Sequence, residues 1–158
     1  MIPRKLCCFT GHRELPDEGS QESFLLHKSL LRAVHDAIAD GATGFVNGGA
    51  CGFDLLAAEA VLECRKMNPL LELRILIPYA GQPTHFFSAD KKRYARVLAE
   101  ATHVHVMSEQ YYTSCMRARN ERLVLYADMC IAYLRKQTGG TLMTVNMAAR
   151  KGIPIVYL

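Results

Sequence analysis

Apolar residues along this chain fall into two kinds of stretch that alternate from one end to the other. Six short runs rich in apolar residues are typical of strands, at residues 5–9, 44–46, 70–77, 102–107, 127–134 and 153–158. Between them, five longer stretches favour helices, at residues 22–39, 55–67, 88–101, 115–126 and 142–150. This order predicts an α/β fold, a doubly wound and mostly parallel sheet of about six strands with helices on both faces.

The run at 102–107 alternates, with His103 and His105 on one side and Val104 and Val106 on the other. Such alternation is typical of a strand with one less-buried face. Two histidines at this spacing could share a metal ion, but Glu109 is the only further ligand type nearby in the sequence. We therefore predict a strand here and no metal site.

A glycine-rich turn links the second strand to the second helix. Gly48, Gly49 and Gly52 permit positive φ angles and leave no Cβ atoms to block a ligand, and the helix that follows presents free N–H groups. The turn therefore predicts a phosphate site, with a plain tight turn as the alternative. Asn47 either donates to the ligand or locks the turn. Asp54 either accepts a hydrogen bond from a ribose hydroxyl or stabilises the helix N-terminus.

The first strand ends at a second candidate turn. Thr10 offers a hydroxyl, Gly11 allows close approach of the backbone, and Arg13 carries a planar guanidinium that suits phosphate. The alternative is an ordinary turn with a solvated arginine.

Two further candidates lie in the second half of the chain. Arg119 and Asn120 form a polar pair that we expect to face a ligand. Gly140 and Thr141 open the last helix directly after a strand, which repeats the pattern of the glycine-rich turn. Because the carboxyl ends of parallel strands meet at one edge of the sheet, we expect the candidate turns to converge there.

Length, composition and charge limit the number of domains and the kinds of partner that the sequence predicts. The 158 residues favour a single domain, 1–158, in which half of the residues are hydrophobic and 22% are charged. The net charge of +4 suits a small anionic ligand but is too weak to indicate nucleic acid by itself. No apolar run approaches the roughly 18 residues of a membrane span, so we expect no membrane partner.

The six cysteines form no Cys-x-x-Cys pair, and several lie in apolar strand or helix patterns. A reduced cysteine in such a position behaves as a small hydrophobic residue, which predicts neither disulfides nor a zinc site. Residues 1–5 lead straight into a strand, without the cleavage site of a signal peptide. These features predict a cytoplasmic protein.

Five motifs, taken together and in this order, resemble the YpsA-like branch of the SLOG superfamily. They are Phe9-Thr10-Gly11-His12-Arg13, Asn47-Gly48-Gly49-Ala50-x-Gly52-x-Asp54, Pro78-Tyr79-x-x-Gln82, Met116-x-x-Arg119-Asn120 and Gly139-Gly140-Thr141. The resemblance spans nearly the whole chain. It implies a Rossmann-like domain, related to the DNA-processing protein DprA and to the LOG phosphoribohydrolases. It also implies a pocket for a nucleotide or nucleotide-derived ligand, such as ADP-ribose or NAD, and it leaves a homodimer open.

One departure from the phosphoribohydrolase pattern bears on catalysis. Those enzymes carry the motif Pro-Gly-Gly-x-Gly-Thr-x-x-Glu, in which the glutamate assists glycosidic cleavage. When their Gly-Thr is placed on Gly140-Thr141, Thr144 stands where that glutamate should be, and the proline is absent. Since threonine supplies no carboxylate, the sequence favours a binding protein over an enzyme.

Three functions follow from these observations. The leading hypothesis is a sensor or regulatory domain whose backbone amides at 48–52 and 140–141 hold phosphates, with Arg119 and Arg13 adding charge. The first alternative is a hydrolase of nucleotide N-glycosidic bonds, with Asp54 or Glu109 as the carboxylate. The second alternative is DprA-like nucleic-acid binding through the basic residues of 91–96 and 117–122.

Overall fold

Six parallel strands form the centre of the molecule, which we describe from a computed structural model over residues 4–158. Residues 1–3, part of the N-terminal segment discussed above, lie outside the described residues. The strands are β1 (Leu6–Gly11), β2 (Gly44–Asn47), β3 (Glu72–Ile77), β4 (His103–Val106), β5 (Met129–Tyr133) and β6 (Ile155–Tyr157). The helices are α1 (Gln21–Ala39), α2 (Phe53–Arg65), α3 (Ser88–Glu100), α4 (Cys115–Tyr126) and α5 (Gly139–Lys151), with a 3₁₀ turn at Gln82–His85.

The strand order is β4-β3-β2-β1-β5-β6, and every neighbouring pair is parallel. The chain starts in the middle of the sheet at β1 and moves outward to β4. It then returns to the other side of β1, where β5 pairs with it in the register Cys7↔Met129. The direction of winding therefore reverses between β1 and β5, the point at which open α/β sheets place their ligands.

The two faces of the sheet have separate cores because successive side chains in a strand point to opposite sides. Cys7 and Phe9 of β1 face the layer of α1, α2 and α3, where Phe9 stacks on Phe45 with ring centroids 5.5 Å apart. Cys8, between them, faces the layer of α4 and α5. This arrangement confirms the predicted doubly wound sheet with helices on both faces.

The structure moves some of the predicted boundaries. Helix α4 has the predicted limits, whereas α2 begins at Phe53 and α5 at Gly139, both earlier than expected. All four residues of β4 are exposed, and Val104 and Val106 on the predicted more buried side are 42% and 38% exposed. In the described part of the chain, β4 is at the sheet edge, beside β3. Within residues 4–158, no helix is both long and apolar enough to cross a membrane.

Candidate functional site

A cleft of about 400 Å³ opens at the carboxyl ends of β1 and β5, where the winding of the sheet reverses. Its walls come from the segment after β1, the start of α2, the first half of α4 and the segment that leads into α5. These four segments meet because α4 packs beside α5 while α2 packs on β1. The cleft therefore joins parts of the chain that are distant in sequence.

Most of the predicted ligand residues line this cleft. They are Thr10, Gly11, Arg13, Asp54, Arg119, Asn120, Gly140 and Thr141. The other four predicted residues, Asn47, Gly48, Gly49 and Gly52, do not line it. The convergence expected from strand order is thus present, but the glycine-rich turn lies behind the cleft wall. The ligand role of all twelve residues stays a prediction.

The amides of the glycine-rich turn already have partners inside the protein. The N–H groups of Gly48 and Ala50 both donate to Oδ2 of Asp54, each at 3.2 Å, and Gly49 N donates to Oδ1 of Asn47 at 2.9 Å. The amide of Asn47 in turn donates to the backbone carbonyl of Asp54 at 2.9 Å. Buried side chains thus satisfy these three amides within the protein, which favours the tight-turn alternative over a phosphate site at this turn. Asn47 locks the turn, and Asp54 closes it.

The carbonyl group of Gly48 is held from two sides. Nη1 of Arg119 donates to it at 2.7 Å, and Nε2 of Gln82 donates to it at 3.1 Å. A Cβ atom at position 48 would overlap the guanidinium of Arg119, so a larger residue here would displace that side chain from the Gly48 carbonyl. Arg119 is only 5% exposed, and its Nε donates to Oδ1 of Asn120 at 2.8 Å. The arginine therefore connects the turn to α4 and orients Asn120 at the cleft.

Burial and charge act against each other on the two buried ionisable groups. Burial raises the pKa of Asp54, while the positive charge of Arg119 and the amides of Ala50 and Gly48 oppose that rise. Burial likewise lowers the pKa of Arg119, and the Asp54 charge opposes that effect. Each group thus favours the charged form of the other, as expected of opposite charges in a region shielded from water.

Two cleft residues, His12 and Lys136, were not among the predicted ligand residues. Nε2 of His12 accepts hydrogen bonds from the backbone N–H groups of Arg135 at 2.7 Å and Lys136 at 3.1 Å. The Lys136 ammonium lies 3.2 Å from Oε2 of Glu14. The sequence carried a signal for Lys136, since it follows a strand at the same edge and precedes a helix. His12 lies inside a predicted motif, but nothing in the sequence shows that it accepts these two bonds.

We expect the stability of the protein to fall as the pH drops below about 6.5, in part because of His12. Burial, Lys136 and Arg135 lower the His12 pKa from 6.5, so the unfolded chain binds a proton before the folded one does. Protonation would also remove the acceptor that holds the loop before α5. In a His12→Leu variant we expect a loss of about 1 kcal/mol at pH 7.5 and a smaller loss at pH 5. Urea unfolding at both pH values measures the difference, and an equal loss at both would contradict the assignment.

The first turn of α5 presents unpaired backbone N–H groups at the cleft. Thr138 is the N-cap residue, and its side chain makes no capping hydrogen bond. Thr138, Gly139, Gly140 and Thr141 all line the cleft. By contrast, Oγ1 of Thr144 donates to the Gly140 carbonyl at 2.9 Å and is fully buried. The free end of α5 is therefore the part of the site best suited to an anion.

No group of three or more His, Cys, Asp or Glu residues in the described chain is arranged to hold a metal ion. The carboxylates at the cleft are those of Glu14 and Asp54. Glu109, which the sequence offered as a replacement for the missing glutamate, is exposed and does not line the cleft. Glu109 is therefore not placed to act as the carboxylate of the hydrolase alternative at this cleft.

Comparisons with known proteins give a consistent family assignment. The family model described as the YspA SLOG family matches residues 7–152. A UPF0398 protein of Halalkalibacterium halodurans is 25% identical over 129 residues, which cover 80% of this chain and 68% of the relative. A UPF0398 protein of Bacillus cereus strain G9842 is 26% identical over 130 residues, covering 80% of this chain and 71% of the relative.

Two solved structures are similar over nearly the whole chain. DNA processing protein A of Helicobacter pylori, described with its single-stranded DNA binding mode, has a TM-score of 0.67 at 17% identity. DprA of Streptococcus pneumoniae has a TM-score of 0.68 at 21% identity. These matches cover 97% and 98% of this chain but only 64% and 50% of the respective structures. At such identities the similarity establishes the fold.

Proposed function

Because this chain belongs to the YspA SLOG family, we propose that its cleft binds a nucleotide or nucleotide-derived ligand as a sensor or regulatory domain. The observation that carries the proposal is the position of the cleft at the reversal point of the sheet, with the free N-terminus of α5 in its wall. Nucleotide phosphates bind at such positions because helix N–H groups and the helix dipole both attract anions. ADP-ribose and NAD are the first ligands to test.

Phosphate would bind at the loop before α5 and at the first turn of that helix. Among the described residues, the N–H groups of Gly139, Gly140 and Thr141 have no capping side chain, and the exposed Lys136 supplies a positive charge at the same end of the cleft. Lys136 contacts Glu14 through a surface ion pair, which costs little to exchange for a phosphate contact. Arg13, exposed at the cleft rim, adds a second cation.

The rest of a nucleotide would lie toward α2 and α4. Oδ2 of Asp54 is occupied by the amides of Gly48 and Ala50, and Oδ1 accepts no hydrogen bond from the described residues, so it can accept from a ribose hydroxyl. Asn120 uses its carbonyl oxygen for Arg119 and keeps its two amide hydrogens for a ligand. Met116 of α4, which is half-buried, adds an apolar surface for a base.

Fewer structural features support the two alternative functions than support nucleotide binding. For a glycosidic-bond hydrolase, Asp54 is the buried carboxylate at the cleft, and its bonds to the turn commit one oxygen to the fold. For nucleic acid, three of the seven basic residues of 91–96 and 117–122 form ion pairs within the described chain. Arg93 pairs with Glu59, Arg96 with Glu100 and Arg117 with Glu121. The likeness to DNA processing protein A keeps DNA binding as the second candidate.

A binding panel tests the proposal directly. We expect ADP-ribose, NAD or a related nucleotide to raise the melting temperature, because a ligand at a hundred times its Kd stabilises by about 2.7 kcal/mol. A Lys136→Glu variant should lose most of this shift, since it places a negative charge beside the phosphates. The control is Lys92→Glu, an exposed change on α3 away from the cleft. No shift with any nucleotide at millimolar concentration would overturn the proposal.

The same samples separate the alternatives. Release of free base from nucleoside monophosphates would establish a hydrolase. Binding of a single-stranded oligonucleotide that weakens steeply with salt would establish the DNA alternative.

A further inference from the structure

The two faces of the sheet are covered unequally. Three helices pack on one face, whereas the other face is covered by α5, which contacts β1, β5 and β6, and by α4, which contacts β1 and β3. Beyond α4, no helix within residues 4–158 covers that face of β3 and β4. A groove of about 350 Å³ therefore runs between these strands and the C-terminal half of α4.

The groove has an apolar floor and one apolar wall. Val46 of β2 and Leu76 of β3 form part of the floor, and each is 8% exposed. Leu123 and Tyr126 of α4 form the wall, and the Tyr126 side chain is 59% exposed although it lies beside this apolar surface. Leu123 is also the only residue shared with the nucleotide cleft, so the two cavities are separate sites on opposite ends of α4.

The rim of the groove carries one free cation, Arg122, and two histidines, and no carboxylate of the described residues matches them. Arg122, His103 and His105 line it and are exposed. Arg74 also lines it but is already paired with Glu72, with Nη2 and Oε2 2.6 Å apart. Among the described residues, Arg122 forms no ion pair, and no Asp or Glu lines the groove. Its free charge is therefore positive.

We propose that this groove is the docking site for an amphipathic helix of a partner protein, with an apolar stripe and acidic flanks. The six residues of β3 span about 20 Å, which equals the length of a helix of about 13 residues. Such a helix would lie beside α4, fill the apolar floor and place a carboxylate against the guanidinium of Arg122 at the rim. A second copy of this chain fits less well, because pairing groove to groove would bring the two Arg122 side chains together.

A pair of labelled peptides provides the probe. Both have about 14 residues with leucines at helical spacing, and the remaining positions are glutamate in one peptide and lysine in the other. Fluorescence anisotropy with the full chain should give a Kd at least about tenfold lower for the glutamate peptide. Arg122→Glu should reverse this preference, and Tyr126→Ala should weaken binding of the glutamate peptide about tenfold. Arg32→Glu, on the opposite layer, is the matched control and should change nothing.

Three results would overturn this docking site. They are no binding of the glutamate peptide up to about 1 mM, equal binding of the two peptides, or binding unaffected by both variants. Sedimentation of the free protein tests whether two copies of the chain form a dimer through the groove. A dimer that Tyr126→Ala dissociates would assign the groove to a second copy instead. Thermal unfolding of each variant verifies that it is folded, and the nucleotide shift should persist in Arg122→Glu if the proposed nucleotide site is intact.

Discussion

The Gly52→Ala substitution is expected to lower the free energy of unfolding by about 3–4 kcal/mol. Gly52 precedes α2 with φ 80° and ψ −122°, a conformation that essentially only glycine adopts without strain. A Cβ atom there would also overlap the backbone carbonyl of Arg13, which has no flexible end to move aside. The backbone strain and the overlap with Arg13 would both arise at Gly52, in the turn that supports the cleft.

The matched control for this substitution is Gly152→Ala. Gly152 has φ 81° and ψ 18°, and a Cβ atom there would meet nothing within 4 Å. This variant should therefore show only the cost of a left-handed conformation, about 1 kcal/mol. Urea unfolding of both variants measures the difference, and equal losses would show that the contact with Arg13 is relieved at no cost.

The second large effect is expected for Arg119→Met, at about 3 kcal/mol. Methionine keeps the length of the side chain but loses the hydrogen bond to the Gly48 carbonyl and the charge that favours ionised Asp54. Without that charge the Asp54 pKa rises further, so the folded variant binds a proton that the unfolded chain does not. The loss relative to the parent protein should therefore be smaller at pH 5 than at pH 8.

Arg117→Met provides the comparison on the same helix. Arg117 is exposed and pairs with Glu121 one turn away, so its loss should cost less than about 0.5 kcal/mol. Chemical denaturation at the two pH values distinguishes the variants. If Arg119→Met cost no more than Arg117→Met, the bond to Gly48 would contribute nothing to the turn.

The fold could be predicted because local patterns and the global sheet agree. The stretch 115–126 and helix α4 coincide, and each predicted strand is present. The exposure of all four β4 residues could not be predicted from the sequence. The alternation in β4 describes which side chains share a face, but only the strand order shows that β4 is at the edge, where no helix within residues 4–158 other than α4 lies on the groove side.

The site was predictable in its location but not in its hydrogen bonding. Chain order places Thr10, Arg119 and Thr141 near one sheet edge, and all three line the cleft. The sequence could not show that Asp54 accepts the amides of its own turn, because that depends on a return of the backbone toward Gly48. The same glycine pattern is compatible with an open anion site and with a closed turn.

The central position of β1 also has a consequence for how the chain is synthesised. β1 pairs on one side with β2 but on the other with β5, whose residues follow more than a hundred positions later. As the chain emerges from the ribosome, β1 to β4 can assemble with α1, α2 and α3 while one edge of β1 waits for its partner. The cleft therefore cannot form until α4 and the start of α5, which supply two of its walls, have been synthesised.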